Sequence, residues 1–471
     1  MKGRFLDYWA RAETGPIVLE KDFDLKRYWP RVNELARKYK VEYDPQHIVP
    51  TDDEQLDNVW RAAYELVLDV GFLCQDTGRV IMFTPDEIEE MIDHIHPVGR
   101  VGMGEEEFTY TYKGFEDYDN QRNPHLVMGR VLGQISPEIY SSVCMSYLKE
   151  PCIDFVHFQG IIPKVHGMPT KPGSPWEMLA ELQRVALVRD ACRRAGKPGY
   201  SDGGTVPVRL QAQMAADDPR WGTPAGDSRG AYMNPCMKTT YDWMCRALHM
   251  YQYGGHTWGG GTAYVGGMSG GPKTSAINIC AEMIGCALLY ESSGIGTWAL
   301  DAIYFSNSSK QSLFASWWGG GAFKKHVAYC CVIGAPIQMT YKLGKDYFWE
   351  HAAGAVGCAP LGFGVCGGAG CQSAGLDVYC GLGCRMSAEV GRAVGRARLT
   401  RKEANEIVIR ITDKYQPRID DRTAHTIGLT YQEAYDVEEV RPKAEFMKTY
   451  NQVKSELKEE FGLPMKLTGA I

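Results

Sequence analysis

In the first part of the chain, apolar residues recur at intervals of three and four. Leu56, Val59, Trp60, Ala63, Leu66, Val67 and Val70 follow this spacing, which marks one face of a helix. Pro50-Thr51-Asp52-Asp53-Glu54 precedes them as a cap with acidic first-turn residues, and Gly71 follows as a stop. Thr84-Pro85-Asp86-Glu87 opens another helix, with a capping hydroxyl, proline at the first helical position and acids next. Residues 101–134 are polar and tyrosine-rich and predict a hairpin or irregular loops.

From about residue 140 to 395, short apolar runs alternate with amphipathic stretches. Cys152 to His157 reads as a strand. Pro175 to Arg193 reads as a long helix that Gly196 ends, and Lys197-Pro198-Gly199-Tyr200 leads into a second strand. Lys238 to Tyr251 is helical. Trp258 to Val265 suits a strand, followed by a glycine-rich turn and a helix from Thr274 to Tyr290. Thr297 to Phe305 and Tyr329 to Ile333 are strand-like, and helices are expected around Gln311 to Trp317, Asp346 to Ala355 and Arg385 to Arg396. This alternation predicts parallel βα units. A section of about 250 residues fits one (β/α)8 TIM barrel. A doubly wound sheet is the alternative, and no G-x-G-x-x-G follows a first strand with an acid further on, which counts against it. The expected layout is an N-terminal helical extension over 1–135, the barrel over 136–398 and a charged C-terminal helical extension over 399–471, packed as one unit.

Composition narrows the function classes. The 471 residues are 44% hydrophobic and 23% charged, with a net charge of -6, so no basic face for nucleic acid is expected. No apolar run reaches the roughly 18 residues of a membrane span. Met1-Lys2-Gly3-Arg4-Phe5-Leu6-Asp7 lacks the apolar stretch of a secretory signal. A cytoplasmic protein is expected, and its 15 cysteines are read as thiols, metal ligands or redox groups rather than disulfides.

In a barrel, chemistry sits at the carboxyl ends of the strands. Five segments are assigned there: Tyr200 to Thr205, Tyr253 to Gly261, Val265 to Gly271, Tyr304 to Ser309, and Trp317 to Gly321. Their glycines permit close backbone approach by a ligand. Tight turns are the plain alternative, and no Walker motif supports phosphate binding. Tyr253, Trp258, Tyr264, Trp298, Tyr304, Phe305, Trp317 and Trp318 lie in or near these segments. Aromatic walls attract organic cations; taken singly, each ring is better explained as core, while some of the set are expected to line a pocket. His326, Cys330, Cys331, Cys366, Cys371, Cys380 and Cys384 offer thiol and imidazole ligands. They lack the usual C-x2-C spacing of zinc sites, so buried thiols are the commoner explanation. His157 and His256 are candidate bases. Asp202, Asp227 and Asp301 are candidate acids, with caps and turns as their alternative.

Motifs along nearly the whole chain resemble the monomethylamine methyltransferase family of methanogens. They are Ile48-Val49-Pro50-Thr51-Asp52, Gly71 to Arg79, Met145-Ser146-Tyr147, Lys171 to Glu177, Ala195 to Gly199, Val265 to Gly271, Arg385 to Ala393 and Tyr431 to Val437. The resemblance implies a (β/α)8 barrel assembled as a homo-oligomer, a hexamer, that passes a methyl group to the Co(I) of a separate corrinoid protein. No tightly bound cofactor of its own is implied. Relatives use pyrrolysine, whose position would fall at Gly203 or Gly204. The acidic residues that accompany it would fall near Gly230 and Gly260, and the catalytic glutamine has Gln338 as its nearest counterpart.

That departure shapes the expected chemistry. A primary amine needs an electrophile to hold it, whereas a quaternary ammonium or sulfonium donor carries a leaving group that departs neutral and needs only positioning. Asp202 and His256 are the expected catalytic groups. Tyr200, Gly203, Gly204, Tyr253, Trp258, Gly260, Phe305, Trp317, Trp318 and Gln338 are expected about the donor, in a cavity that the glycines enlarge. The competing readings are a zinc-thiolate methyltransferase acting on a methylated thiol or methoxy compound, and a non-catalytic binding barrel.

Overall fold

Seven parallel strands form one curled sheet in the computed structural model, which describes residues 4–95, 98–119, 122–203, 209–218, 227–330, 332–334, 340–367 and 375–466. In chain order they are β1 (Val127–Gln134), β2 (Phe155–Ile161), β3 (Ser228–Gly230), β4 (His256–Val265), β5 (Gly294–Asp301), β6 (Val332–Gly334) and β7 (Gly364–Gly367). The hydrogen-bonded order is β2-β1-β7-β6-β5-β4-β3. The open edges therefore belong to β2 and β3, and Tyr200–Gly203 lies between them. Its Ser201 hydroxyl donates to Asp227 just before β3, while a Cβ on Gly203 would meet Ser228 of β3 at 2.7 Å and His157 of β2 at 2.9 Å. This segment makes no ladder, yet it serves as the third of eight staves. The result is the TIM-barrel architecture the alternation predicts.

The barrel begins earlier than expected. Residues 127–134 had been placed in the N-terminal extension as loop, but they form β1, paired to β2 from Met128↔Phe155 to Gln134↔Ile161 and to β7. Gly129, Arg130 and Gly133 interrupt its apolar run. The strand tolerates this because Arg130 faces the lumen, while on the outer face Val156 and Tyr147 fill the space a side chain at Gly129 would take.

Helices α1 (Pro137–Leu148), α2 (Pro175–Arg194), α3 (Leu210–Ala216), α4 (Tyr241–Tyr253), α5 (Pro272–Tyr290), α6 (Lys310–His326), α7 (Lys345–Cys358) and α8 (Gly381–Ala397) surround the sheet. The N-terminal helix Asp53–Val70 packs on α5 and α6. It starts as its sequence says it should: Asp52 accepts from the backbone N–H of Glu54 and Gln55, and Gly71 ends the helix at φ 67°. Thr84 caps Pro85–His94 as expected, and Glu87 completes a capping box with it. Helices Arg401–Asp420 and Ala444–Glu459 pack against α7. Among the described residues no helix is long and apolar enough to cross a membrane.

Two glycine runs read as loop tips are interior. Gly259-Gly260-Gly261 lies within β4, and Gly319-Gly320-Gly321 within α6. A Cβ at Gly319 would sit 2.6 Å from the Ala276 carbonyl of α5, and one at Gly320 would sit 2.5 Å from Thr297 of β5. These glycines let α6 press onto the barrel wall. Val265–Gly271 is a turn, as expected, closed by the Gly266 N–H donating to the Gly270 carbonyl.

Candidate active site

Alternation along the strands decides what faces the lumen. On β1, a Cβ at Gly129 would point outward against Val156 and Tyr147, so Met128, Arg130 and Leu132 point inward. On β2 the inward residues are Phe155, His157 and Gln159. On β5, Thr297 meets Gly320 of α6 on the outside, which turns Gly294, Gly296 and Trp298 inward.

An aromatic plug closes the amino-terminal end of the barrel. The hairpin Val98–Val101 and Phe108–Thr111 presents Tyr110, whose ring lies 5.7 Å from Trp258 and 6.4 Å from Phe155. Trp258 was expected in the donor pocket. It is instead part of this plug, wedged over Gly294. His256, expected to be catalytic, is the first residue of β4 and hydrogen-bonds through its ring to the Arg100 carbonyl of the same hairpin. Tyr200 is also at this end, donating to the Ile153 carbonyl just before β2. Tyr253 ends α4, outside the barrel, stacked on His249 at 5.8 Å.

Above the plug the lumen becomes polar and under-satisfied. His157 is fully buried, 5.4 Å from Trp258. Among the described residues neither of its ring nitrogens has a hydrogen-bond partner, nor do the Ser228 hydroxyl, the Trp258 indole N–H or the Trp298 indole N–H. Burial, reinforced by the Arg130 and Arg229 guanidiniums, pushes His157 well below the ordinary histidine range and keeps it neutral. Buried polar groups are usually paired, so four such residues on the inner wall mark a place built for a ligand or ordered water. Arg130 donates to Gln159 across adjacent strands at 2.9 Å.

Tyr232, just beyond β3, fills the space beside Gly230 and Gly260. A Cβ on Gly230 would collide with its ring, and one on Gly260 would lie 3.2 Å from it. The glycines therefore do not enlarge the cavity as expected; they make room for a tyrosine. The half-buried Trp298 lies towards the carboxyl end, with Tyr264 6.2 Å away in an edge contact.

Asp202 does not enter the lumen. Adjacent residues of an extended segment face opposite sides, and with Gly203 inward Asp202 turns to α2. There its carboxylate takes Arg184 at 3.1 Å, and Glu181 takes the same guanidinium at 2.7 Å. Asp227 and Asp301 are also structural: Asp227 accepts from Ser201 and the Asp202 backbone, and Asp301 caps the turn at Ile303 and Tyr304. Trp317 and Trp318 lie on α6 outside the barrel. Trp317 packs over Gly357 of α7, and Trp318 donates to the His47 carbonyl at 3.2 Å. Phe305, in the loop after β5, is 61% exposed at φ 54°. Gly204 and Gln338 lie outside the described residues, as do Cys331 and Cys371. The remaining thiols do not assemble. Cys330 donates to the Ser293 carbonyl, while burial pushes Cys366 up to about 12 and Cys380 up to about 11, and Cys384 is raised further. Among the described residues no three His, Cys, Asp or Glu side chains are grouped to hold a metal.

Sequence reading missed Arg130, Gln159, Ser228 and Tyr232. The signal for Arg130 and Gln159 was charge and amide within apolar runs. Tyr232 had no signal without the register that sets it over two glycines.

Comparison with known proteins agrees with this architecture. The profile of the family described as "Monomethylamine methyltransferase MtmB" matches residues 4–463. The chain is 26% identical over 474 aligned residues to monomethylamine methyltransferase MtmB2 of Methanosarcina acetivorans, covering 97% of each chain. It is equally similar to MtmB of Methanosarcina mazei, at 26% identity and 97% coverage of each. The crystal structure of Methanosarcina barkeri MtmB superposes with a TM-score of 0.88 at 24% identity, covering 98% of both chains. A crystal structure of a hydroxylamine complex of MtmB gives the same values.

Proposed function

Because the chain belongs to the monomethylamine methyltransferase MtmB family, we propose that it transfers a methyl group to the Co(I) of a separate corrinoid protein, without pyrrolysine, from a quaternary ammonium or sulfonium donor. The observation that carries this reading is the Tyr232 ring packed over Gly230 and Gly260. An aromatic surface stands where the resemblance puts the acids that serve pyrrolysine, and Gly203 has no room for a side chain between His157 and Ser228. Aromatic faces stabilise a methylated cation. In the transfer, the Co(I) electron pair forms the Co–C bond as the C–N or C–S bond breaks. The leaving amine or sulfide keeps that bond's electron pair and departs neutral, so no proton moves and no general base is needed.

The test uses the protein with a reduced corrinoid carrier protein and a set of methyl donors, followed by the visible spectrum of the cobalt. Methylation by tetramethylammonium or a trialkylsulfonium, and none by monomethylamine, is the expected result. Turnover of monomethylamine alone would overturn the reading.

The carrier must dock at the carboxyl ends of the strands. Met268, Ile303 and Phe305, in the loops after β4 and β5, are 51%, 42% and 61% exposed there. Burying one such ring contributes about 1.5–3 kcal/mol. Phe305→Glu is therefore expected to raise the KM for the carrier about 10-fold, with donor affinity of the free protein unchanged by calorimetry. An unchanged carrier KM would assign docking elsewhere.

We also take the assembly to be a homo-oligomer, hexameric as the resemblance implies and cytoplasmic. Exposed Leu6, Ile17, Leu19, Leu25 and Trp29 in the N-terminal segment support self-association. Light scattering is expected to give about six times the 52.5 kDa chain mass; a mass of one chain would refute it.

A further inference from the structure

The lumen holds a cation, Arg130, with no carboxylate partner among the described residues. Arg130 sits mid-strand on β1, in register with His157 of β2. Its Nε donates to the neutral amide oxygen of Gln159 at 2.9 Å, and its sulfur neighbour is Cys366 of β7. Among the described residues it has no carboxylate partner. The other guanidinium acting on His157, that of Arg229, is paired with Asp217 at 2.7 Å. Arg184 and Arg246, also buried near the barrel, are each paired as well. Buried Arg189 is taken up by the Pro198 and Tyr200 carbonyls, whereas the half-buried Arg130 faces the lumen. An inward guanidinium next to His157 and Ser228, both unpartnered among the described residues, is suited to an anion, because each carries a donor: Arg130 the N–H groups beyond those on Gln159 and Cys366, Ser228 its hydroxyl and neutral His157 one ring N–H.

Its position relative to the aromatic wall gives the rest. In a ring of eight staves, with Tyr200–Gly203 as the third, β4 stands directly across from β1. Gly260 of β4 carries the Tyr232 ring above it, and Trp298 lies on the adjacent β5. Cation-attracting rings and a lone guanidinium therefore face each other across the lumen.

Resting on the reading of an onium methyl donor, we propose that the donor is a zwitterion, a methylated ammonium or sulfonium that also carries a carboxylate. Arg130 binds the carboxylate, with Ser228 and His157 beside it, and the onium centre rests against Tyr232 and Trp298. Arg130 is a binding and specificity residue; it does not touch the transferred methyl group.

The experiment is calorimetric titration of the full chain, without the carrier, with four probes. They are trimethylammonioacetate, its carboxamide (a cation that lacks the carboxylate), tetramethylammonium, and 3,3-dimethylbutanoate, in which carbon replaces the nitrogen. Trimethylammonioacetate is expected to bind about 10- to 100-fold tighter than the amide or tetramethylammonium, the range for a charge-assisted hydrogen-bonded contact. Arg130→Met is expected to erase that preference, and Arg130→Lys to retain part of it. The lysine variant keeps the comparison informative if methionine disturbs folding, which circular dichroism would reveal. Equal binding of the acetate and its amide, or a preference that survives Arg130→Met, overturns the carboxylate assignment while leaving the onium reading standing. Binding of 3,3-dimethylbutanoate as tight as that of trimethylammonioacetate overturns the onium reading and leaves the carboxylate site. Failure of all four to bind overturns both.

Discussion

Arg184→Met will destabilise the fold by about 3–5 kcal/mol, the cost of leaving buried charge without its partner. Arg184 is 1% exposed and joins three elements: Glu181 of α2 at 2.7 Å, Asp202 of the third stave at 3.1 Å, and the Phe158 carbonyl of β2 at 2.7 Å. The third stave has no ladder bonds, so this ion cluster and the bond from the Asp202 N–H to Asp227 at 2.8 Å hold it in place. In the variant, two carboxylates remain buried without that guanidinium. Denaturation midpoints at fixed protein concentration measure the loss. A deficit under about 1 kcal/mol would show that Arg184 is dispensable. Because Gly203, His157 and Ser228 meet at this stave, donor binding should fail along with it.

The second large effect separates the aromatic residues by role. Trp317→Ala is expected to cost about 3–5 kcal/mol of stability, as for deletion of a fully packed indole, and to leave donor affinity intact in the folded fraction. Trp317 is completely buried between α6 and α7, its ring pressed on Gly357. Trp298→Ala should do the reverse. Its indole lines the lumen half-buried with an unpartnered N–H, so its loss should weaken binding of a cationic donor about 10-fold while stability changes less. Denaturation midpoints and calorimetric affinities on the same two variants decide the matter. If Trp317→Ala weakens donor binding more than Trp298→Ala, the lumen has been assigned to the wrong rings.

These two tests follow the line between what the chain shows as text and what it shows as an object. Caps and periodicity made the helices legible: Asp52 and Thr84 cap where expected, and α2 and α5 keep within a residue or two of their expected bounds. Strand β1 was not legible, because Gly129, Arg130 and Gly133 break the apolar run by which a buried strand is recognised. Gly-Gly-Gly in α6 locally favours a turn, which hid the helix; there the glycines let α6 sit close against Ala276 and Thr297.

The candidate site divides in the same way. His157 and His256 both lie on strands, and nothing local ranks one above the other. Strand position puts His256 at the amino-terminal rim, and inward alternation puts His157 in the lumen without partners. Trp258, Trp298 and Trp317 are equally aromatic in the sequence. One became plug, one lumen wall and one outer core, because the depth of a side chain in a barrel depends on stagger between strands that the chain joins only through long helices.

By itself, the sequence determined the alternation of strand and helix, the caps, the family motifs in their order, and the glycine at position 203. Those are local or one-dimensional properties, set by periodicity and backbone preference. The tertiary structure alone decided that Tyr232 fills the space over Gly230 and Gly260, that Asp202 pairs with Arg184, and that Arg130 faces the lumen with no carboxylate partner among the described residues. Each of these depends on which side of a strand a residue faces and on what distant segment meets it there. A one-residue change of register would reverse all three.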